Sequence, residues 1–113
     1  MDEVKTAAQA AGIFRDAAAY IRRYGWQRSG MSQHGKPRCS MGALASAHTA
    51  EAWDTALSRL MYEELYETLN GLSLTEFNYK YNDGEKVARL FEDVAAKLCR
   101  APQPRKSLVA HAA

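Results

Sequence analysis

Apolar residues recur at steps of three and four through the first two dozen positions of the chain. Val4, Ala7, Ala11, Phe14, Ala18 and Ile21 fall on one stripe, with Lys5, Gln9, Asp16 and Arg23 opposite, the pattern of an amphipathic helix. It predicts a helix from about Glu3 to Tyr24. Gly25 ends it, because glycine tolerates a left-handed backbone. The stripe is rich in alanine, which lets a neighbouring helix approach closely. From Trp26 to Arg38 the periodicity is lost. Gly30, Gly35 and Pro37 exclude a stable helix there. The segment is read as either a small hairpin turning at Gln33-His34-Gly35-Lys36 or an irregular loop. A lone hairpin is marginal in water, so it must lean on the helices, with Trp26 as the anchor.

Helical spacing then returns. Ser40 is placed to cap a short helix from Met41 to about Ala47, and Thr49 to cap a long one from Ala50 to Asn70. In the long helix Trp53, Ala56, Leu57, Leu60, Met61, Leu65, Thr68 and Leu69 share a face, Ser58 falls on the polar side, and Gly71 is the stop. Ser73-Leu74-Thr75-Glu76 matches a capping box. The alternation Phe77, Tyr79, Tyr81 suits extended chain, so a short turn followed by an extended segment is expected. Asn82-Asp83-Gly84-Glu85 opens the final helix, which runs to about Arg100 on a stripe of Val87, Leu90, Phe91, Val94 and Leu98. Glu85, Arg89, Asp93 and Lys97 form an exposed row of alternating charge along it, contributing about 0.2–0.5 kcal/mol per pair. Pro102 and Pro104 end regular structure. The expected fold is therefore mainly α. A single domain over residues 1–101 has three longer helices and one short one, with a hairpin or irregular insert between the first and second. A basic, proline-containing tail follows at 102–113.

The 113 residues are 47% hydrophobic and 25% charged, an ordinary balance for one globular domain. The net charge of +2 is too small to imply a nucleic-acid partner, but its distribution is uneven. Between Ala17 and Ala50 there is no acid, while Arg22, Arg23, Arg28, Lys36 and Arg38 all fall there. From Glu51 to Glu76 six acids face Arg59 alone. This predicts a basic end and an acidic face, the alternative being simple solvation of both. No apolar run approaches the length of a membrane span. The charged N-terminus lacks the apolar core of a secretory signal, which points to a cytoplasm in which Cys39 and Cys99 are free thiols.

Little in the chain suggests chemistry. Cys39 precedes a helix whose amides favour a thiolate, with His48 within reach as a base. The favoured reading is a small buried residue near Trp26. Cys39, His34, His48, Cys99 and His111 have no recognised metal-ligand spacing, so no metal or cofactor is expected. Asn82 and Asp83 are read as caps rather than as a polar site with Glu76. The cluster Glu63, Glu64 and Glu67 lies near a helix C-terminus, where negative charge is unfavourable, and so is a candidate for interaction.

Gly25-Trp26, the run Cys39-Ser40-Met41-Gly42-Ala43-Leu44 and Asn82-Asp83, taken in this order between helices, resemble a family of small proteins of unknown function found in actinobacteria and their phages. The resemblance covers roughly Phe14 to Leu98. Tyr81 stands where that family more often has Trp, and Ser40-Met41 also departs from it. It implies no reaction. It implies a bacterial cytoplasm, in some cases during phage infection. The residues themselves lead to a non-enzymatic protein-binding factor, using Arg22, Arg23, Tyr24, Arg28, Lys36 and Arg38. The alternative is a nucleic-acid binder using segment 22–38 and the C-terminal tail, since Tyr20, Tyr24 and Trp26 interleave with the arginines. No membrane partner is expected.

Overall fold

A computed structural model describes residues 2–28, 35–47 and 56–100. Five helices run through them: α1 (Asp2–Tyr24), α2 (Ser40–Ala47), α3 (Ala56–Thr68), α4 (Leu74–Tyr81) and α5 (Gly84–Leu98). The mainly helical fold read from the pattern is the fold observed, with one helix more than expected. Helix α1 lies at the centre and packs along α5, with α2 and α3 also against it; α3 touches α5, and α2 touches α4. The alanine stripe explains the closeness of the α1–α5 pair. Ala10, Ala11, Ala17 and Ala18 on α1 and Ala88 and Ala95 on α5 are buried. The larger side chains stand between these small ones. Phe14 and Phe91 are fully buried with ring centroids 5.5 Å apart, and truncating such a ring typically costs about 3–5 kcal/mol. Leu44, Met61, Val87 and Val94 complete the centre.

The expected stripe of α5 is buried in full: Val87, Leu90, Phe91, Val94 and Leu98. On α3 the outcome differs in detail. Leu57, Met61 and Leu65 are buried, but so is Ser58, while Ala56 is exposed. Trp53 and the Thr49 cap lie outside the described residues. Helix α3 ends with Asn70 in the left-handed region (φ 56°) and Gly71 after it. The Gly71 N–H donates to the Tyr66 carbonyl at 3.2 Å and the Asn70 N–H to that of Glu67 at 3.1 Å, the two bonds of a Schellman motif.

The stretch from Phe77 to Tyr81 is helical, not extended. The capping box is present in both directions: Ser73 Oγ accepts from the Glu76 N–H, and the Glu76 carboxylate accepts from the Ser73 N–H, each at 3.0 Å. Once the helix is started, position rather than residue type decides the rest. Leu74 and Asn78, four apart, are both buried. Phe77 and Tyr81, also four apart, stack at 4.7 Å between centroids. Asn82 ends α4 in the left-handed region and Asp83 begins α5, its carboxylate accepting from the Glu85 N–H at 3.0 Å.

Between α1 and α2 the two flanks of the insert meet in a single parallel bridge, Trp26 with Arg38. Consecutive arms of a tight hairpin run antiparallel, so these flanks are not hairpin arms. Of the expected turn Gln33-His34-Gly35-Lys36, Gln33 and His34 lie outside the described residues.

Candidate functional site

The residues that mark the sequence converge on one structural node. Gly25 closes α1 with φ +99°, its N–H bonded to the Ile21 carbonyl at 2.9 Å. Pro37 lies 3.2 Å from the place a Cβ would take there. Trp26 follows, half-buried, and its indole N–H donates to Ser40 Oγ at 3.2 Å. Ser40 is fully buried and donates in turn to Asn78 Oδ1. Ser40 therefore begins α2 but spends its hydroxyl on Trp26 and Asn78, tying the insert to α4. Trp26 also sits against the start of α5: a Cβ at Gly84 would be 2.7 Å from the Trp26 Cβ. Gly25, Trp26, Ser40, Asn78 and Gly84 thus join four helices at one point. Every buried side-chain polar atom among the described residues has a partner. Such a network fixes the relative positions of the elements it joins.

The basic segment is divided by the fold. Arg22 reaches across to α5, binding Glu85 at 2.8 Å and also Glu92. This pair holds the Glu85 carboxyl down to about 2, with Arg89 adding to the effect, and lowers that of Glu92. Arg23 stacks on Tyr24 at 5.3 Å. Tyr20 is buried. Its hydroxyl donates to the Lys36 carbonyl at 2.8 Å and accepts from the Gly35 N–H at 2.9 Å, clamping the returning flank of the insert. Arg38 lies over the Tyr20 ring and bonds the Gly42 carbonyl at 3.4 Å. Tyr24 is half-buried beside Tyr20, ring centroids 4.8 Å apart. Of the six basic-segment residues singled out from the sequence, Arg22, Arg23, Arg28 and Lys36 are exposed, and Arg28 lies 5.0 Å over the ring of Tyr79 on α4.

That contact opens a surface the sequence reading missed. Tyr79 is 53% exposed and Tyr81 40% exposed. Lys80 and Lys86 both stand over the Tyr81 ring, at 5.4 and 5.3 Å. Three cations and two exposed tyrosines therefore share the end of α4 and the start of α5. The nearby acids are engaged locally: Asp83 caps α5, Glu76 closes the capping box, and Glu85 holds Arg22 and Arg89. The signal that would have found this surface is the helical spacing of α4, hidden by the aromatic alternation.

Among the described residues no three His, Cys, Asp or Glu side chains gather as metal ligands. His34, His48 and His111 lie outside them. Both cysteines are free, Cys39 buried and Cys99 exposed, the latter 3.6 Å from Arg15 Nη1. No described helix is long and apolar enough to cross a membrane.

A family model matches residues 5–101 of the chain, a span that includes the Trp26 node and all but the first residues of α1. The chain belongs to DUF6197, a family of unknown function. Comparison with curated proteins and with solved structures gave no match. Family membership therefore covers nearly all of the described fold and carries no reaction with it.

Proposed function

We propose that this DUF6197 chain is a non-enzymatic binding domain whose partner is an acidic protein surface. The observation that carries the reading is the pair of exposed tyrosines under cations at the end of α4, with Arg28 over Tyr79 on one flank and Lys80 and Lys86 over Tyr81 on the other. Tyrosine and arginine offer large contact area with few rotors to freeze, and both are enriched among the residues that dominate protein interfaces. In the setting that the resemblance suggests, this is a small accessory factor of a bacterial cytoplasm. If phage-encoded, it engages a host or virion component.

Nucleic-acid binding through segment 22–38 is the second reading. It is weakened because Arg22 is paired with two glutamates and Tyr20 is buried, so neither is presented to phosphate or bases. Fluorescence anisotropy against a labelled acidic peptide and a labelled oligothymidine tests both. Binding of the peptide, lost in Arg28→Glu with Lys86→Glu, is the expected result. Micromolar binding of the oligonucleotide at physiological salt, abolished by Arg22→Glu with Arg23→Glu, would promote the second reading. Arg28, Lys80 and Lys86 alone would give a log–log salt slope of only about −2 on a single strand.

A further inference from the structure

The acids of α3 and the basic tail play no part in the α4 surface. Tyr62 and Tyr66, with Met41, Leu65, Leu69 and Leu72, line an open, largely apolar groove of about 670 Å³ beside α3. Tyr66 is 63% exposed. A shallow hollow of about 450 Å³ shares Tyr66 and continues over the C-terminal end of the helix, lined by Glu67, Asn70 and Gly71. The end of α5 lies on the other flank of α3, where Lys97 Nζ donates to Thr68 Oγ1 at 3.3 Å. At 3.6 residues per turn, the outer face of α3 runs from Thr68 through Glu64, Glu67 and Glu63 to Tyr66, about 200° around the axis. The inner way round is filled by the buried Met61 and Leu65. Helix α3 has no base in its last turn, so its carbonyl end adds partial negative charge to that ridge of acids. Arg59, the cation of the groove lining, stands two turns before Glu67, about 12 Å along the axis.

We infer that the C-terminal tail of this chain crosses the outer face of α3 and covers the groove. Arg105 and Lys106 then lie over Glu63 and Glu67, and Leu108 and Val109 against Tyr66 and Tyr62. Residues 101–113 are beyond the described part, but the point from which they depart is fixed: Arg100, three residues after Lys97. A path of about 200° round a helix about 11 Å across is roughly 19 Å long. The eight steps from Arg100 to Leu108 reach about 25 Å in the extended form that Pro102 and Pro104 favour. Arg105 falls about 15 Å along, on the acidic ridge, and the apolar pair arrives after it. The order within the tail, two prolines, two bases, then Leu and Val, matches the order of surfaces along this path. Little intrinsic affinity is needed, because a short tether holds the segment at about millimolar effective concentration. The α4 tyrosines have no share in this contact, so it stands apart from the proposed acidic partner. While seated, the tail keeps the groove from any other apolar ligand.

Isotope-edited nuclear Overhauser spectroscopy of the full chain tests it. We expect contacts from the Leu108 and Val109 methyls to the rings of Tyr62 and Tyr66, unchanged on dilution and absent between chains in a mixed-label sample. Glu63→Lys with Glu67→Lys, and separately Arg105→Glu with Lys106→Glu, should each lose these contacts with nearly unchanged melting curves. The four substitutions together should restore them, because the charges are then exchanged. Leu108→Asp with Val109→Asp should move the Tyr66 ring shifts to the positions they take in the Arg105 and Lys106 reversal. Random-coil methyl shifts for Leu108 and Val109 in the parent overturn the inference. So do contacts to Tyr66 from Trp53 instead of the tail, contacts between chains, reversals that leave the contacts intact, or a fourfold variant that fails to restore them.

Discussion

Replacing Gly84 with alanine tests how α5 is seated. A Cβ there would stand 2.7 Å from the Trp26 Cβ, 3.3 Å from its Cγ and 3.4 Å from Ile21 Cγ2. Gly84 is not among the residues with positive φ, so alanine meets no torsional penalty. On helix propensity alone the change would stabilise by up to about 1 kcal/mol. The contact opposes this. Carbon atoms pack best at about 3.5–4.0 Å, and the nearest obstacle is an atom fixed to the backbone, which no rotamer change moves. Trp26 is also held from its other end by the bond to Ser40. Either α5 or the Gly25–Trp26 corner must shift by most of an ångström. Overpacking of this kind costs about 1–3 kcal/mol, so we expect a net loss of roughly 1–2 kcal/mol. In a domain of this size each kcal/mol moves the melting temperature by about 4–8 °C. Urea unfolding followed by far-ultraviolet circular dichroism reads the effect. The decisive control is the Trp26→Gly background, where the opposing Cβ is gone: there Gly84→Ala should become neutral or stabilising, a change of sign that additivity forbids. A raised unfolding midpoint for the single Gly84→Ala variant would refute the close approach and the node built on it.

Three further outcomes follow from the geometry. Ser73→Ala removes the forward half of the capping box on α4 and should cost about 1 kcal/mol, measured by urea titration. Because Arg22 and Arg89 hold Glu85 at about 2, against an ordinary 4.5, its stabilising contribution is complete above 4.5. It is lost as pH falls from there through about 2. Arg22→Ala should flatten acid unfolding in that window, and an unchanged acid limb would show that the pair is idle. Thiol labelling of the native protein should modify Cys99 quickly and Cys39 slowly, since the first is exposed and the second buried. Fast labelling of Cys39 at neutral pH would reopen it as a nucleophile.

Much of the fold was legible because burial imposes period. The stripes of α1 and α5 are continuous runs at steps of three and four, and Gly25 at the end of α1 and Asp83 at the start of α5 are terminators that their residue types announce. The segment from Phe77 to Tyr81 misled for a physical reason. Three aromatics at alternate positions look like one face of a strand, yet two of them, Phe77 and Tyr81, stack four apart on a helix while Tyr79 faces Arg28. The competing period was carried by Leu74 and Asn78, and a buried asparagine does not read as core. Asn78 is buried because Ser40 bonds it, and that contact spans 38 residues. Ser58 and Ser40 were misplaced likewise: a serine with a partner can be buried, and the partner is a tertiary fact.

The candidate site was less legible, and the Trp26 node explains why. Gly25-Trp26, Ser40 in the run after Cys39, and Asp83-Gly84 are the most recognisable residues in the chain. In the fold Gly25 makes a left-handed turn, Trp26 and Ser40 bond to each other, Asp83 caps α5, and Gly84 lets Trp26 approach. Each has a structural task that its residue type alone accounts for. These residues thus specify how helices meet, and the proposed binding surface carries none of them. Arg28, Tyr79 and Lys86 lie on that surface. Substituting them should leave the melting temperature nearly unchanged while altering partner association, whereas Trp26→Ala should lower stability first. Separate measurement of stability and association for these four variants distinguishes the two classes. A Trp26 variant of unaltered stability that had lost association would place function at the node instead.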